Sequence, residues 1–185
     1  VLSNRKKNYL GVTNSGKVDV KGLTGKKSHT PAFIKKLFFE LVDVLSEVQT
    51  MEDFVKAKKQ ISEKISVCGK KLEAKEIPLE DLTFNVMLSK APSEYTKTIP
   101  QHIRAAKQLE GIREIKKGDR ISFIKILNKP GVKPAELAKK EEIDSKKYME
   151  FLESTLEQIT SSMDLDFDVM LGKPKQTGLD EFFWS

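Results

Sequence analysis

The sequence is poor in the residues that most often build catalytic and metal sites. Its 185 residues include one cysteine, Cys68, and two histidines, His29 and His102. A single cysteine excludes an intramolecular disulfide and any metal site built from several cysteines, and we expect a partly buried thiol in a reducing compartment. No apolar run approaches the length of a membrane span, and the basic residues near the start precede no signal-peptide core.

Motifs of common enzyme classes are also missing. There is no nucleophile elbow, no P-loop and no glycine-rich dinucleotide turn. The acidic stretch that begins at Asp164 resembles the start of a calcium loop, but Val169 and Lys175 stand where that loop needs glycine and glutamate. Neither histidine has a cluster of ligands near it in sequence, so surface or hydrogen-bonding roles are expected for both. The residues themselves therefore favour a binding component.

What the chain does have is positive charge concentrated at its front. Residues 1–36 carry nine basic side chains and one acidic one, whereas the whole chain has a net charge of +6. From residue 164 onward, five acids stand against two lysines. This asymmetry favours a polyanionic partner for the front of the chain. The alternative is a solvated surface on a lysine-rich protein.

Residues 7–23 are predicted to form a β-hairpin. The runs KNYLGV and KVDVKGL alternate polar and apolar residues around a turn at Asn14, Ser15 and Gly16. A two-stranded hairpin is barely stable alone in water. We therefore expect it to complete a sheet whose other strands lie elsewhere.

Helical patterns dominate the next part of the chain. Thr30 followed by Pro31 predicts the start of a long amphipathic helix, and Thr50 predicts the cap of a second helix over residues 51 to about 71. Because a tight turn joins them, these helices should form an antiparallel pair.

Shorter elements follow. Residues 82–88 fit either a strand or a helix, a short helix is predicted from Pro100 to residue 109, and GDRISFIKIL alternates as a strand. Asp144 is predicted to open the last helix, and the chain beyond residue 163 is typical of a linker. The predicted fold class is α+β and mainly helical, with a small β element in the helical part.

Two parts of this pattern resemble archaeal family-B DNA polymerases. Lys6, Lys7, Asn8 and Tyr9, with a hairpin that ends in KGL, resemble the end of the palm domain. Residues 90–109 (KAPSEYTKTIPQHIRAAKQL) are similar to a thumb segment in which a tyrosine precedes Pro-x-His and an alanine-rich helix. DRISFIKIL and the helix with Tyr148 match the rest of the thumb in order and spacing, so the resemblance covers essentially the whole chain.

The resemblance implies a division into three parts. Residues 1–24 would be the last palm strands, which complete a palm sheet, residues 25–163 the thumb, and residues 164–185 a flexible tail. The implied function is to hold duplex DNA in a replicative, cytoplasmic and nucleoid-associated DNA polymerase, whose nucleotidyl transfer takes place on another segment. No cofactor is expected in this chain, although the complete polymerase would use Mg²⁺.

The resemblance also implies which residues contact primer–template DNA. In such enzymes the lysine–tyrosine motif lies near the active site, and the thumb wraps the newly made duplex. The DNA contacts expected on these grounds are Lys6, Lys7, Tyr9, Lys26, Lys27, Tyr95, His102 and Arg104.

The tail carries a motif of its own. Gln176, Leu179, Phe182 and Phe183 fit the sliding-clamp-binding box, which reads Gln-x-x-hydrophobic-x-x-aromatic-aromatic. In a short 3₁₀ helix Leu179 and Phe182 would share one face with Phe183 beside them, which gives an apolar plug for a pocket. The alternative is that these aromatic residues fold back onto the thumb.

The sequence also departs from the family. The palm motifs that carry the metal-binding aspartates have no counterpart, and neither do the fingers or the exonuclease domain. Either the chain is one product of a split gene or it is a fragment of a longer chain, which the first residue, Val1, favours slightly. The main rival is a free-standing DNA-binding or clamp-binding accessory protein, and a more distant one is an enzyme that uses His29 or His102.

Overall fold

A small antiparallel sheet lies at the front of the chain. The computed structural model describes residues 3–5, 8–12, 15, 18–21 and 29–173, and it gives the first three strands by their backbone. Strands β1 (Ser3–Arg5), β2 (Asn8–Val12) and β3 (Val18–Lys21) pair in the order β1–β2–β3. The predicted hairpin is present as β2 and β3. Strand β1, which covers one edge of it, was missed because its three residues are all polar and give no alternating pattern.

Helices α1 (Ala32–Ser46) and α2 (Met51–Glu73) form the predicted pair. The cap of α2 is confirmed: Thr50 Oγ1 accepts a hydrogen bond from Asp53 N at 3.1 Å, and Asp53 Oδ2 accepts one from Thr50 N at 3.0 Å. The predicted start of α1 is wrong by one residue. Pro31 has an extended backbone (ψ 145°), so it lies at the N-cap position and the helix begins at Ala32.

A second antiparallel sheet occupies the middle of the chain. Strands β4 (Phe84–Met87), β5 (Arg120–Lys125) and β6 (Val132–Pro134) lie in the order β4–β5–β6. The undecided residues 82–88 therefore supply a strand, and Phe84 of β4 stacks on Phe123 of β5 with 5.3 Å between ring centroids. Helix α3 (Gln101–Lys107) packs against β5 and β6.

Helices α4 (Ser145–Ser162) and α5 (Phe167–Met170) complete the fold. Asp144 caps α4 as predicted, since its Oδ1 accepts a hydrogen bond from Lys147 N at 3.1 Å. The prediction of a linker directly beyond residue 163 is wrong, because Phe167 and Met170 are buried and α5 packs on α2. Gly69 makes this packing close, since a Cβ at that position would overlap the Leu171 side chain.

One hydrophobic core joins the helices to the second sheet, and Tyr148 lies inside it. Its hydroxyl donates to Leu82 O at 2.6 Å and accepts from Lys125 N at 3.1 Å, so this buried polar group is satisfied on both sides. Burial raises the pKa of the tyrosine well above its usual range. Burial also raises the pKa of the partly buried Cys68 thiol to about 11, so the thiol is protonated at neutral pH.

The described elements are thus mainly helical, with two small antiparallel sheets. None of the helices in the described part of the chain combines the length and the apolar character that a membrane span requires.

Candidate nucleic-acid interface

Most of the residues predicted to make contacts lie outside the described part of the chain. Strand β2 includes Tyr9, whose backbone pairs with Asn4 on one side and Lys21 on the other. Eight further predicted contact residues belong to the ranges that the structure does not describe: Lys6, Lys7, Lys26, Lys27, Gln176, Leu179, Phe182 and Phe183.

The structure brings Tyr95 and His102 together. Their rings meet edge to face with 6.5 Å between centroids, and the Tyr95 hydroxyl lies 3.0 Å from Ser89 Oγ. His102 is half-buried, and burial lowers its pKa, so the imidazole is neutral near pH 7. This pair can offer hydrogen bonds and an aromatic edge to a ligand, but no positive charge.

Arg104 lies two residues after His102 on α3, about 200° around the helix from it, and carries a positive charge. Its Nη1 donates to Pro130 O at 3.1 Å, which ties the guanidinium to the turn that precedes β6. A guanidinium has five N–H groups, so this bond leaves others for a ligand. Gln108 holds the same helix against β6, since its Nε2 donates to Arg104 O at 3.1 Å and to Val132 O at 2.9 Å.

Lys125, at the end of β5, is a half-buried cation. Its Nζ lies 5.1 Å from the ring centroid of Phe84 and 5.4 Å from that of Phe151, which are cation–π distances. Desolvation lowers the pKa of Lys125, and repulsion from Lys147 lowers it further. The two aromatic rings therefore lie against an ammonium group that loses its proton more easily than a fully solvated lysine does.

A pocket of about 190 Å³ connects these elements, and Arg104, Lys125 and Lys147 all line it. Helix α3 contributes the first of these cations, β5 the second, and the first turn of α4 the third. The single acid among the described lining residues is Asp144, whose Oδ1 caps α4. This part of the surface therefore carries an excess of positive charge at one place.

Sequence reasoning named Arg104 but missed Lys125 and Lys147. The position of Lys147 could have indicated an anion site. A lysine in the first turn of a helix is repelled by the positive end of the helix dipole, and a bound anion would relieve that repulsion. Lys125 gave no signal, because a lysine at the end of an alternating strand is expected to face solvent.

The described residues offer no donor set for a catalytic metal. No group of three or more histidine, cysteine, aspartate or glutamate residues lies close enough together in the described part of the chain to hold a metal ion.

The fold resembles that of a known polymerase. The solved structure of the family B DNA polymerase from the hyperthermophilic archaeon Pyrobaculum calidifontis matches with a TM-score of 0.62. The match covers 96% of this chain and 21% of that one, at 17% sequence identity. At that identity the match defines the fold: these residues fold as a part of a family-B polymerase does.

Sequence comparison identifies the family. The profile of DNA polymerase family B matches residues 1–165. DNA polymerase 1 of Sulfurisphaera ohwakuensis is 44% identical over 166 residues, which are 89% of this chain and 19% of the relative. DNA polymerase 1 of Sulfolobus acidocaldarius is 40% identical over 186 residues, which are 100% of this chain and 21% of the relative. The chain belongs to DNA polymerase family B, and it spans about a fifth of the length of these relatives.

Proposed function

We propose that this chain is the end of the palm and the thumb of an archaeal replicative DNA polymerase, and that it holds the duplex product. The observation that carries the proposal is the family match through residues 1–165, against relatives that are about five times longer. Residues 1–24 would be the last palm strands and residues 25–163 the thumb. Helix α5 lies beyond residue 163, but Phe167 and Met170 are buried, so in this proposal the thumb continues past that bound to α5.

Nucleotidyl transfer would then belong to another segment. Two-metal phosphoryl transfer needs carboxylates that hold two cations about 4 Å apart. The described residues contain no such set of donors. We expect the pure 185-residue chain not to extend a primer. Template-dependent incorporation of nucleotides by that chain would contradict the proposal that nucleotidyl transfer belongs to another segment.

The DNA contacts of the proposal are Lys6, Lys7 and Tyr9, then Lys26 and Lys27, and then Tyr95, His102 and Arg104. Support for the last group comes from its geometry. Tyr95 and His102 present ring edges and hydrogen-bonding atoms, and Arg104 presents a fixed cation from another face of the same helix. Such groups position a phosphate backbone without reading its sequence.

Duplex binding at a series of salt concentrations tests this proposal. Each phosphate contact that is lost should reduce the slope of log K against log salt by about 0.9. We expect Lys6→Ala/Lys7→Ala to weaken binding and to reduce the slope. The matched control, Lys56→Ala/Lys59→Ala, removes the same charge from exposed positions of α2. Equal slopes in the two double variants would mean that the front lysines only solvate the surface.

We further propose that the tail binds a sliding clamp through Gln176, Leu179, Phe182 and Phe183. Truncating aromatic anchors of this kind in short peptides typically costs roughly 2 kcal/mol or more. Titration of a peptide of residues 173–185 against an archaeal sliding clamp tests it, with Phe182→Ala as the disabling variant and Asp180→Ala as the control. Equal binding by wild type and Phe182→Ala would assign the aromatic residues to the thumb itself.

A further inference from the structure

The pocket between α3, β6 and α4 collects cations from three separate elements. Lys125 is 21 residues after Arg104, and Lys147 is 22 residues after Lys125. In the folded chain all three line one pocket of about 190 Å³. Arg104 is fixed there by Pro130 O and Lys125 by two aromatic rings. Two of the three cations are thus held in place before any ligand arrives.

The two nearby carboxylates, Asp144 and Glu150, neutralise the three cations of this cluster only in part. Asp144 uses Oδ1 to cap α4, and Glu150 pairs with Lys147 at 3.1 Å between side chains that are 49% and 57% exposed. An ion pair this exposed is weak and is easily exchanged for another anion. No carboxylate in the described ranges forms an ion pair with Lys125. Desolvation lowers its pKa most, repulsion from Lys147 comes next, and the attractions of Glu150 and of Asp144 are each smaller.

The start of α4 adds to the positive potential. This helix has 18 residues, and its N-terminal end faces the pocket through Asp144 and Lys147. The aligned peptide dipoles place a partial positive charge at that end. Lys146 and Lys147 occupy its first turn, and no acid does. Like charges gathered in this way are most stable with an anion among them.

The size of the pocket limits what that anion is. Pockets that enclose whole small molecules usually have volumes of about 300–1,000 Å³. A volume of about 190 Å³ is too small for a nucleotide but accommodates one phosphate group with some water. We propose that this pocket binds a single phosphate group of a nucleic-acid backbone, and the choice of nucleic acid as its source rests on the proposed function.

Two double variants of the full chain test the proposal. Arg104→Gln/Lys147→Gln removes two cations from the pocket. Lys107→Gln/Lys146→Gln removes two from exposed positions of the same two helices that do not line it. Because the cluster holds one phosphate, the first variant should reduce the salt slope of duplex binding by about 0.9, and the control should leave it unchanged. Equal changes in both variants, or no change in either, would overturn the proposal.

Inorganic phosphate, titrated at constant ionic strength, tests the pocket without DNA. We expect saturable shifts of the Lys125, Gly131 and Lys147 amide signals in the wild-type chain, and at least tenfold weaker binding in Arg104→Gln/Lys147→Gln. Lys125→Gln should weaken binding similarly, and a thermal melt checks that it remains folded. Absence of these shifts, or equal shifts in all variants, would contradict the proposal that this pocket binds phosphate. Failure of the wild-type chain to bind duplex, with phosphate binding intact, would contradict the proposed function alone.

Discussion

Two sides of the described structure differ in whether their cationic side chains have carboxylate partners. On the α1–α2 side, three lysines have acidic partners: Lys36 pairs with Asp81 at 3.2 Å, Lys56 with Glu52 at 2.9 Å, and Lys64 with Glu40 at 3.0 Å. On the side formed by α3, β6 and the start of α4, Lys133 of β6 pairs with Glu142 at 2.7 Å. The three cations of the pocket differ from it: Arg104 and Lys125 have no ion-pair partner within the described ranges, and Lys147 has only the exposed Glu150. The net charge of the whole chain does not reveal this contrast, because it does not show which cations have partners.

The contrast separates charges that support the fold from charges that are available to a ligand. Lysines that already have carboxylate partners gain little from a phosphate, because the new contact must replace an existing one. Cations held by aromatic rings or by a backbone carbonyl keep their charge available. We therefore expect substitutions on the first side to alter stability and those on the second to alter binding.

The largest expected effect is in the helical core. Ile61 of α2 is fully buried, and truncating such a residue typically costs about 2–5 kcal/mol. Ile61→Ala should lower the free energy of unfolding by that amount, measured with urea, while the salt slope of duplex binding by the folded protein stays unchanged. Val55 is on the same helix and 64% exposed, so Val55→Ala should change stability by less than about 0.5 kcal/mol. Equal losses in the two variants would contradict the burial pattern.

A smaller loss is expected where the two sides meet. Tyr148→Phe removes the hydroxyl that connects Leu82 O to Lys125 N, and it leaves the buried Leu82 O and the partly buried Lys125 N without that partner. The cost should be about 1–3 kcal/mol in urea unfolding. The control is Tyr95→Phe, whose hydroxyl meets Ser89 at an exposed position. A Tyr148→Phe variant as stable as wild type would show that the hydrogen bonds of this hydroxyl contribute nothing.

The cap of α2 should contribute about 1 kcal/mol. Thr50→Ala removes the side chain that accepts from Asp53 N, and loss of an N-cap typically has this cost. Thr96→Ala, in an exposed loop, is the control for the substitution itself. Chemical unfolding of both variants measures the difference, and no difference would mean that water replaces the cap fully.

The smallest effect is expected for a surface ion pair. A double-mutant cycle on Glu40 and Lys64, whose side chains are 55% and 40% exposed, should give a coupling of about 0–1 kcal/mol. The coupling should disappear in 1 M salt, where screening extends over only about 3 Å. A coupling that survives high salt would show that this side of the molecule holds its charges more tightly than the exposed geometry indicates.

The parts of the fold that the sequence predicted are those set by local chemistry. Thr50 and Asp144 both cap helices as expected, and the alternation of GDRISFIKIL produced β5. Helix α5 was missed because four residues are too few to show a period, and only packing on α2 reveals Phe167 as a core residue. The cationic pocket could not be predicted either. It depends on three elements that meet only in the folded chain, and neither Lys125 nor Lys147 lies in a recognisable motif.

Lysine footprinting tests the central contrast most directly. The 185-residue chain would be acetylated with and without a DNA duplex, and the modification of each lysine compared by mass spectrometry. We predict that the duplex protects Lys147, whose side chain is 57% exposed. It should leave Lys56, which pairs with Glu52 on α2 and is 66% exposed, as reactive as before. Protection of Lys56 with none at Lys147 would place the nucleic acid on the opposite side and contradict the account.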